Sequence, residues 1–238
     1  MTVHPNPARS PCRSVVIASL LIGLTTPSLK AQTAGPPVWN PQWTQILNHM
    51  QIIYLDDGKG GKVKTLRISG INVQIVNGLG ATNGYPADPN TTDPNLTVTN
   101  GVGNLIVGYN ELGTFGGDDR TGSHNLVFGK SNSFSSFGGL VGPHGNRISG
   151  AFASVSGGSG NTASGSMSSV SGGFGNTASG FFSSVSGGYK NAASGYLSSV
   201  SGGNRNTASG IYSSVSGGHS RSVSGTYNWR GGKYYSSN

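Results

Sequence analysis

The chain has 238 residues; 41 are glycine, 34% are apolar or aromatic, and only 9% are charged. Glycine at more than twice its usual share of roughly 7%, without a Gly-x-y period, excludes a collagen-type helix. The sparse apolar and charged residues fit neither an ordinary enzyme core nor a charged disordered tail, which leaves a flexible Gly/Ser tract or a repeat fold whose turns consume glycine.

Residues 1–31 read as a secretory signal, with a basic start at Arg9 and Arg13, an apolar run from Ser14 to Leu24 and a small-residue cleavage site, Leu29-Lys30-Ala31, before Gln32. The apolar run is too short to span a bilayer. The mature protein is therefore expected to be secreted or at the cell surface, with no transmembrane segment after cleavage. Its one cysteine, Cys12, leaves with the signal, so no disulfide or Cys-ligated metal is expected. Losing Arg9, Arg13 and Lys30 takes the formal charge from +8 to +5. No acid follows Asp119. The basic residues beyond it are sparse and not interleaved with aromatics in sequence, so nucleic acid is not expected as a partner.

Residues 32–58 form an N-terminal segment with an amphipathic helix. Asn40 is its N-cap and Pro41 its first position; Trp43, Ile46, Leu47, Met50, Ile53 and Tyr54 follow helical spacing up to Asp57-Gly58. Such a stripe is expected to be buried, against the end of the next domain or against partner chains.

Residues 59–139 read as irregular β-coils with long insertions. The coils are marked by Gly70-Ile71-Asn72-Val73-Gln74-Ile75, Gly103-Asn104-Leu105-Ile106-Val107-Gly108 and His124-Asn125-Leu126-Val127-Phe128-Gly129. The insertions, about 79–100 and 110–123, hold five of the seven acids and are where binding residues concentrate. Neither an EF-hand nor a Gly-Gly-x-Gly-x-Asp repeat accompanies these acids, so turn chemistry is the better reading than calcium. Asn90-Thr91-Thr92 and Asn95-Leu96-Thr97 fit glycosylation sequons.

From 140 to 238 the sequence repeats every fifteen residues. Val155, Val170, Val185, Val200 and Val215 sit in Ser-Val-Ser-Gly-Gly, with Leu140 one step earlier; Ala163, Ala178, Ala193 and Ala208 sit in Ala-Ser-Gly, with Ile148 before and Val223 after. Two strands and two turns make one coil. A small apolar residue and a Gly two apart share one strand face, Ser takes the other, and a following Gly with positive φ turns the corner. Coils stacked at about 4.8 Å pair every backbone group with the next coil. The fold class is all-β: a parallel β-solenoid, or β-roll, of about fifteen-residue coils with a short N-terminal helix.

Two columns recur at the corners. Phe152, Met167, Phe182, Leu197, Tyr212 and Tyr227 form a large apolar column, read as a homo-oligomer interface because it cannot fit inside a roll only a Val and an Ala wide. His144, Ser159, Phe174, Tyr189, Asn204 and His219, followed by Gly145, Gly160, Gly175, Lys190, Arg205 and Ser220, form a mixed polar column. From these, Phe174, Tyr189, Lys190, Asn204, Arg205 and His219 are the candidate surface-binding residues. In the last repeat one serine is missing by alignment, which puts Trp229 at the valine position as a C-terminal cap.

The series from Asn161 to Gly218, Asn-Thr-Ala-Ser-Gly-x-x-Ser-Ser-Val-Ser-Gly-Gly, resembles the head repeats of YadA-type trimeric autotransporter adhesins. The resemblance covers about residues 140–232 well and 104–139 loosely. It implies a left-handed parallel β-roll, assembled as a homotrimer, that binds a host or environmental surface. The coil here is one residue longer than the common family form, owing to the second Gly of Ser-Gly-Gly. The family's stalk and membrane-anchor barrel are missing.

The leading expectation is an exported, non-catalytic surface or matrix protein that binds a glycan, matrix or envelope component. Ice or crystal binding is a second reading, from the outward Ser-x-Ser ladder that begins at Ser154 and Ser156. A polysaccharide-acting enzyme is the third. Dispersed histidines (His4, His49, His124, His144 and His219) and an acid-free repeat leave only Asp118 and Asp119 for it; no catalytic residue, metal or cofactor is expected.

Overall fold

The computed structural model describes residues 41–113 and 118–232. The signal segment with Cys12, the expected N-cap Asn40 and the last six residues lie outside the described residues. Two compact units, 1–71 and 72–238, are described separately.

In the first unit the helix is shorter than its stripe implied. Helix α1 (Pro41–Leu47) gives way to strand β1 (Met50–Asp56), which pairs antiparallel with β2 (Lys62–Ile68) from Met50↔Ile68 to Asp56↔Lys62. The apolar run Ile52-Ile53-Tyr54-Leu55 satisfies helical and strand spacing alike over so few residues. Its β-branched and aromatic content, and a matching strand just after an Asp-Gly turn, decide for the hairpin. Asp57 builds the turn: its Oδ1 accepts from the Lys59 and Gly61 amides, 2.8 Å each, while Asp56 Oδ1 accepts from the Gly58 amide at 2.7 Å. These amides hold the Asp57 carboxyl below the usual carboxylate range. The stripe is not buried within the chain: Trp43, Ile46 and Leu47 are half exposed, and so are Ile52 and Leu66, which face each other across the hairpin.

The second unit is a parallel β-solenoid of about seven turns. Its valine sheet has nine strands, Leu105–Val107 and Leu126–Phe128, then one per coil from Leu140–Val141 to Trp229–Arg230. Its alanine sheet has seven, from Ser133–Phe134 to Ser222–Val223. Two of the three expected irregular coils are therefore strands of the roll; residues 71–76 form none.

Register follows the repeat. Val170 lies beside Val155 and Val185, and Ala178 beside Ala163 and Ala193. Every one of these valines and alanines is at most 1% exposed, so the core is one Val and one Ala per coil, as the phase requires. At the first coils the phase shifts. Val141, not Leu140, lies beside Val155, and Leu140 faces outward beside Ser154. These coils are one residue shorter because Val141-Gly142-Pro143-His144-Gly145-Asn146 does the work of Val155-Ser156-Gly157-Gly158-Ser159-Gly160-Asn161.

The two corners turn differently. After the valine strand, Gly158, Gly173, Gly188 and Gly203 have φ of 74 to 89°, as expected. After the alanine strand the glycines do another job. A Cβ on Gly165, Gly180 or Gly195 would run into the carbonyl of the equivalent glycine in the next coil, so these positions are small to let stacked backbones meet. The positive φ falls instead two residues later, on the large column residues.

A buried asparagine ladder binds the coils together. Asn132, Asn146, Asn161, Asn176, Asn191 and Asn206 are at most 1% exposed. In each regular coil the Oδ1 accepts from the next ladder residue's amide and the Nδ2 donates to two glycine carbonyls. For Asn176 these are the amide of Asn191 at 2.8 Å and the carbonyls of Gly172 and Gly188 at 2.9 and 3.0 Å. At the C-terminal end Arg221 takes the ladder position: its amide still donates to Asn206 Oδ1, but its side chain has no acceptor to offer a further coil.

The last repeat does not close as the deleted-serine alignment implied. Trp229 pairs with Ser214 and Arg230 with Val215, so Arg230 stands in the valine column. Trp229 is 67% exposed, with its indole N–H donating to Ser216 Oγ, and it does not plug the core. The fifteen-residue backbone register has outweighed the preference of a wide ring for burial. Arg230 reaches across to the Ser222 carbonyl at 3.1 Å and ties the last valine strand to the last alanine strand.

Candidate functional site

Each coil presents two corner columns. At the corner after the alanine strand stand Phe152, Met167, Phe182, Leu197, Tyr212 and Tyr227, with φ of 53 to 59° and exposures of 38 to 76%. Their amides donate to the preceding coil, as Phe182 does to Ser166 and Tyr212 to Tyr196, so the backbone is satisfied while the side chains project. Left-handed backbone costs a bulky residue about 1–2 kcal/mol. Glycine would occupy these positions without that cost, so the column is not a requirement of the turn.

A second column lies beside it that sequence reasoning passed over: Phe181, Tyr196 and Ile211, each directly before a column member and 37 to 48% exposed. Phe181 stacks on Tyr196 at 5.9 Å and meets Phe182 edge-on at 4.5 Å; Tyr196 meets Tyr212 edge-on, and Tyr212 stacks on Tyr227 at 5.0 Å. The signal was the doublets Phe181-Phe182, Tyr196-Leu197 and Ile211-Tyr212. The two columns merge into one apolar ridge along the roll.

At the other corner the polar column is stacked in register from Lys130 through His144, Ser159, Phe174, Tyr189 and Asn204 to His219 by single parallel bridges. His144 Nδ1 lies 3.0 Å from Ser159 Oγ. Phe174 and Tyr189 stack at 5.8 Å with their planes 9° apart. Lys190 Nζ is 5.2 Å, and the Arg205 guanidinium 5.9 Å, from the Tyr189 ring centre. All six candidate surface-binding residues thus fall on this edge, within four successive coils.

The loop residues weighed for catalysis or metal are engaged in turns. Asp118 accepts from the Gly113 amide and pairs with Arg120 at 3.7 Å, and Arg120 donates to the carbonyls of Asn110 and Glu111. Asp119 accepts from Thr121 Oγ1 at 2.6 Å and from its amide at 3.0 Å. Asp88 and Asp93 each accept from the amide two residues on. The 79–100 insertion is organised by the fully buried Asn83, whose Nδ2 donates to the Asp88 and Thr91 carbonyls. Among the described residues no three His, Cys, Asp or Glu side chains group as metal ligands.

A cavity of about 410 Å³ lies beside His124, lined also by Gln74, Val76, Asn77 and Thr82. The Asn77 amide donates to His124 Nε2 at 3.1 Å, so Nδ1 carries the proton and donates to the Thr82 carbonyl at 2.9 Å. Both ring nitrogens are occupied in holding the loop.

Comparison with known proteins finds no match: no family model, curated protein or solved structure aligns with the chain. Among the described residues no helix is long and apolar enough to cross a membrane.

Proposed function

We propose that this is an exported, non-catalytic surface or matrix protein whose roll assembles as a homotrimer, similar to the heads of YadA-type adhesins, and adheres to another surface. The observation that carries the reading is the apolar ridge: six large side chains held at positive φ in unbroken succession along one corner. A solvent-facing ridge of this kind costs backbone strain and exposes apolar surface, and packing against copies of itself around an axis repays both. The number three comes from the repeat's resemblance to those adhesin heads. With the ridge turned inward, the polar column of each chain faces outward, free to meet a partner surface.

Light scattering on the purified protein tests the assembly. A mass three times that of the chain is expected, falling to that of a folded monomer in Phe182→Asp/Leu197→Asp. A monomeric parent protein overturns the interface. Failure to bind any member of a glycan, matrix and cell-envelope panel overturns adhesion.

Ice or crystal binding is a second reading, favoured by one feature of the outer alanine sheet. Thr162, Thr177 and Thr207, interrupted by Ala192, stack in register and supply the methyl group that the serine ladder lacks. Thermal hysteresis of the purified protein, abolished in Thr177→Lys, is the expected result under that reading.

A further inference from the structure

On the polar edge the residue after each bridge has positive φ. In three successive coils it is glycine, Gly145, Gly160 and Gly175, with φ of 60 to 67°. In the next two it is Lys190 and Arg205, at 53 and 55°. Glycine suits this backbone, and a side chain here costs about 1 kcal/mol or more. Serine stands there at the two ends of the column, Ser131 and Ser220 at 59 and 53°. Lys190 and Arg205 are its two cations, in adjacent coils, and both lean over one ring, Tyr189. Among the described residues neither pairs with a carboxylate, and the sequence holds no Asp or Glu after Asp119.

We infer that Lys190 and Arg205, with Tyr189, Phe174, Asn204 and His219, form a binding edge for an acidic polysaccharide lying along the roll axis. The inference rests on the surface-binding reading above and names its ligand class. Charge complementarity calls for an anionic partner, because two uncompensated cations stand about 4.8 Å apart along the axis. The geometry disfavours single-stranded nucleic acid, which binds by stacking bases on open ring faces. Here Phe174 covers one face of Tyr189 and the two cations lie over the ring. Exposed ring edges and the His219 ring instead suit a ligand of hydroxyls, apolar sugar faces and widely spaced charges. An extended sugar chain rises per unit by a distance similar to one coil, so successive units meet successive coils.

The test measures binding of the purified protein to polygalacturonate, which carries carboxylates, and to dextran sulfate, which carries sulfates, with neutral dextran and oligo-dT alongside. Lys190→Gly/Arg205→Gly restores the residue of the three preceding coils, so the roll is expected to fold and assemble as before. Binding to at least one acidic polysaccharide is expected to fall about tenfold or more in this variant. The slope of log affinity against log salt is expected to shrink by about one to two, as two cations stop displacing counterions. Arg67→Thr/Arg147→Thr removes two charges elsewhere and is expected to leave affinity within about twofold. Equal loss in both variants overturns the site in favour of net charge. Tighter binding of oligo-dT, lost in Lys190→Gly/Arg205→Gly, overturns the ligand class. Adhesion to some other surface with no affinity for either acidic chain overturns this inference alone, whereas no adhesion to any surface overturns the reading beneath it.

Discussion

The hairpin unit and the roll are both β-structure, yet they are held by opposite means. In the roll, valine, alanine and asparagine of every regular coil are at most 1% exposed, and every strand between the end strands of each sheet is paired on both sides. In the N-terminal unit no described residue is buried, and seven-residue strands pair only with each other. A lone two-stranded hairpin is marginal in water. Repetition lets a core two residues wide suffice, since each coil borrows its neighbours' surface; among the described residues the hairpin has its turn, its cross-strand pairs and the short helix before it.

Several substitutions would break or sharpen that contrast. Asn176→Leu should have the largest effect. It strands the buried Asn191 amide and takes the donor from the half-buried Gly172 carbonyl, while the Gly188 carbonyl keeps the Phe174 amide; at about 1–3 kcal/mol per unsatisfied group the roll should lose about 3 kcal/mol or more in chemical denaturation. The hairpin's cross-strand contacts in NMR should be unchanged. Gly180→Ala should follow closely, because the added methyl meets the Gly195 carbonyl and forces two stacked backbones apart; a loss of about 2–3 kcal/mol is expected by the same measurement. Val185→Ala removes part of a core side chain with little room to relax, for a loss of about 2 kcal/mol. Phe182→Gly should act in two directions: the isolated chain gains up to about 1 kcal/mol from relieved strain, while the proposed trimer weakens. Denaturation at several protein concentrations separates the two. The smallest effect belongs to the hairpin. The Asp57 carboxyl titrates below its ordinary value, so its contribution to the turn is present above the ordinary carboxylate pKa and is lost as pH falls through the lowered one. Protection of the Lys59 and Gly61 amides, measured against the intrinsic exchange rate at each pH, should therefore fall in acid, and Asp57→Asn should remove most of that pH dependence.

The valine and alanine columns were legible because their phase is strict and period-two burial admits one arrangement. The apolar corner column and the polar one were legible for the same reason. Other features were not. Leu140 matched the fifteen-residue spacing, and only the shorter turn at Gly142-Pro143 showed that Val141 is the core residue. That the asparagines form one continuous buried ladder depends on the stacking distance, which sequence does not carry. A one-serine deletion in the last repeat puts Trp229 in the valine column, whereas the intact fifteen-residue register puts Arg230 there. Ile52 to Leu55 fits helical and strand periods alike, and only the pairing with Lys62–Ile68 decides between them. Repetition reveals what is common to all coils, and the departures needed three dimensions.

The asparagine ladder has one further consequence. Since each asparagine touches only the coil before and the coil after, a fifteen-residue unit is a cassette that can be duplicated or lost without redesigning the rest. Length is inherited in whole steps, and each step lengthens the apolar ridge and the polar edge by the same amount. Arg221, the first ladder residue unable to accept from another coil, interrupts the ladder, so a unit added or removed between Asn146 and Asn206 would leave that end unchanged and alter only the length of the two columns.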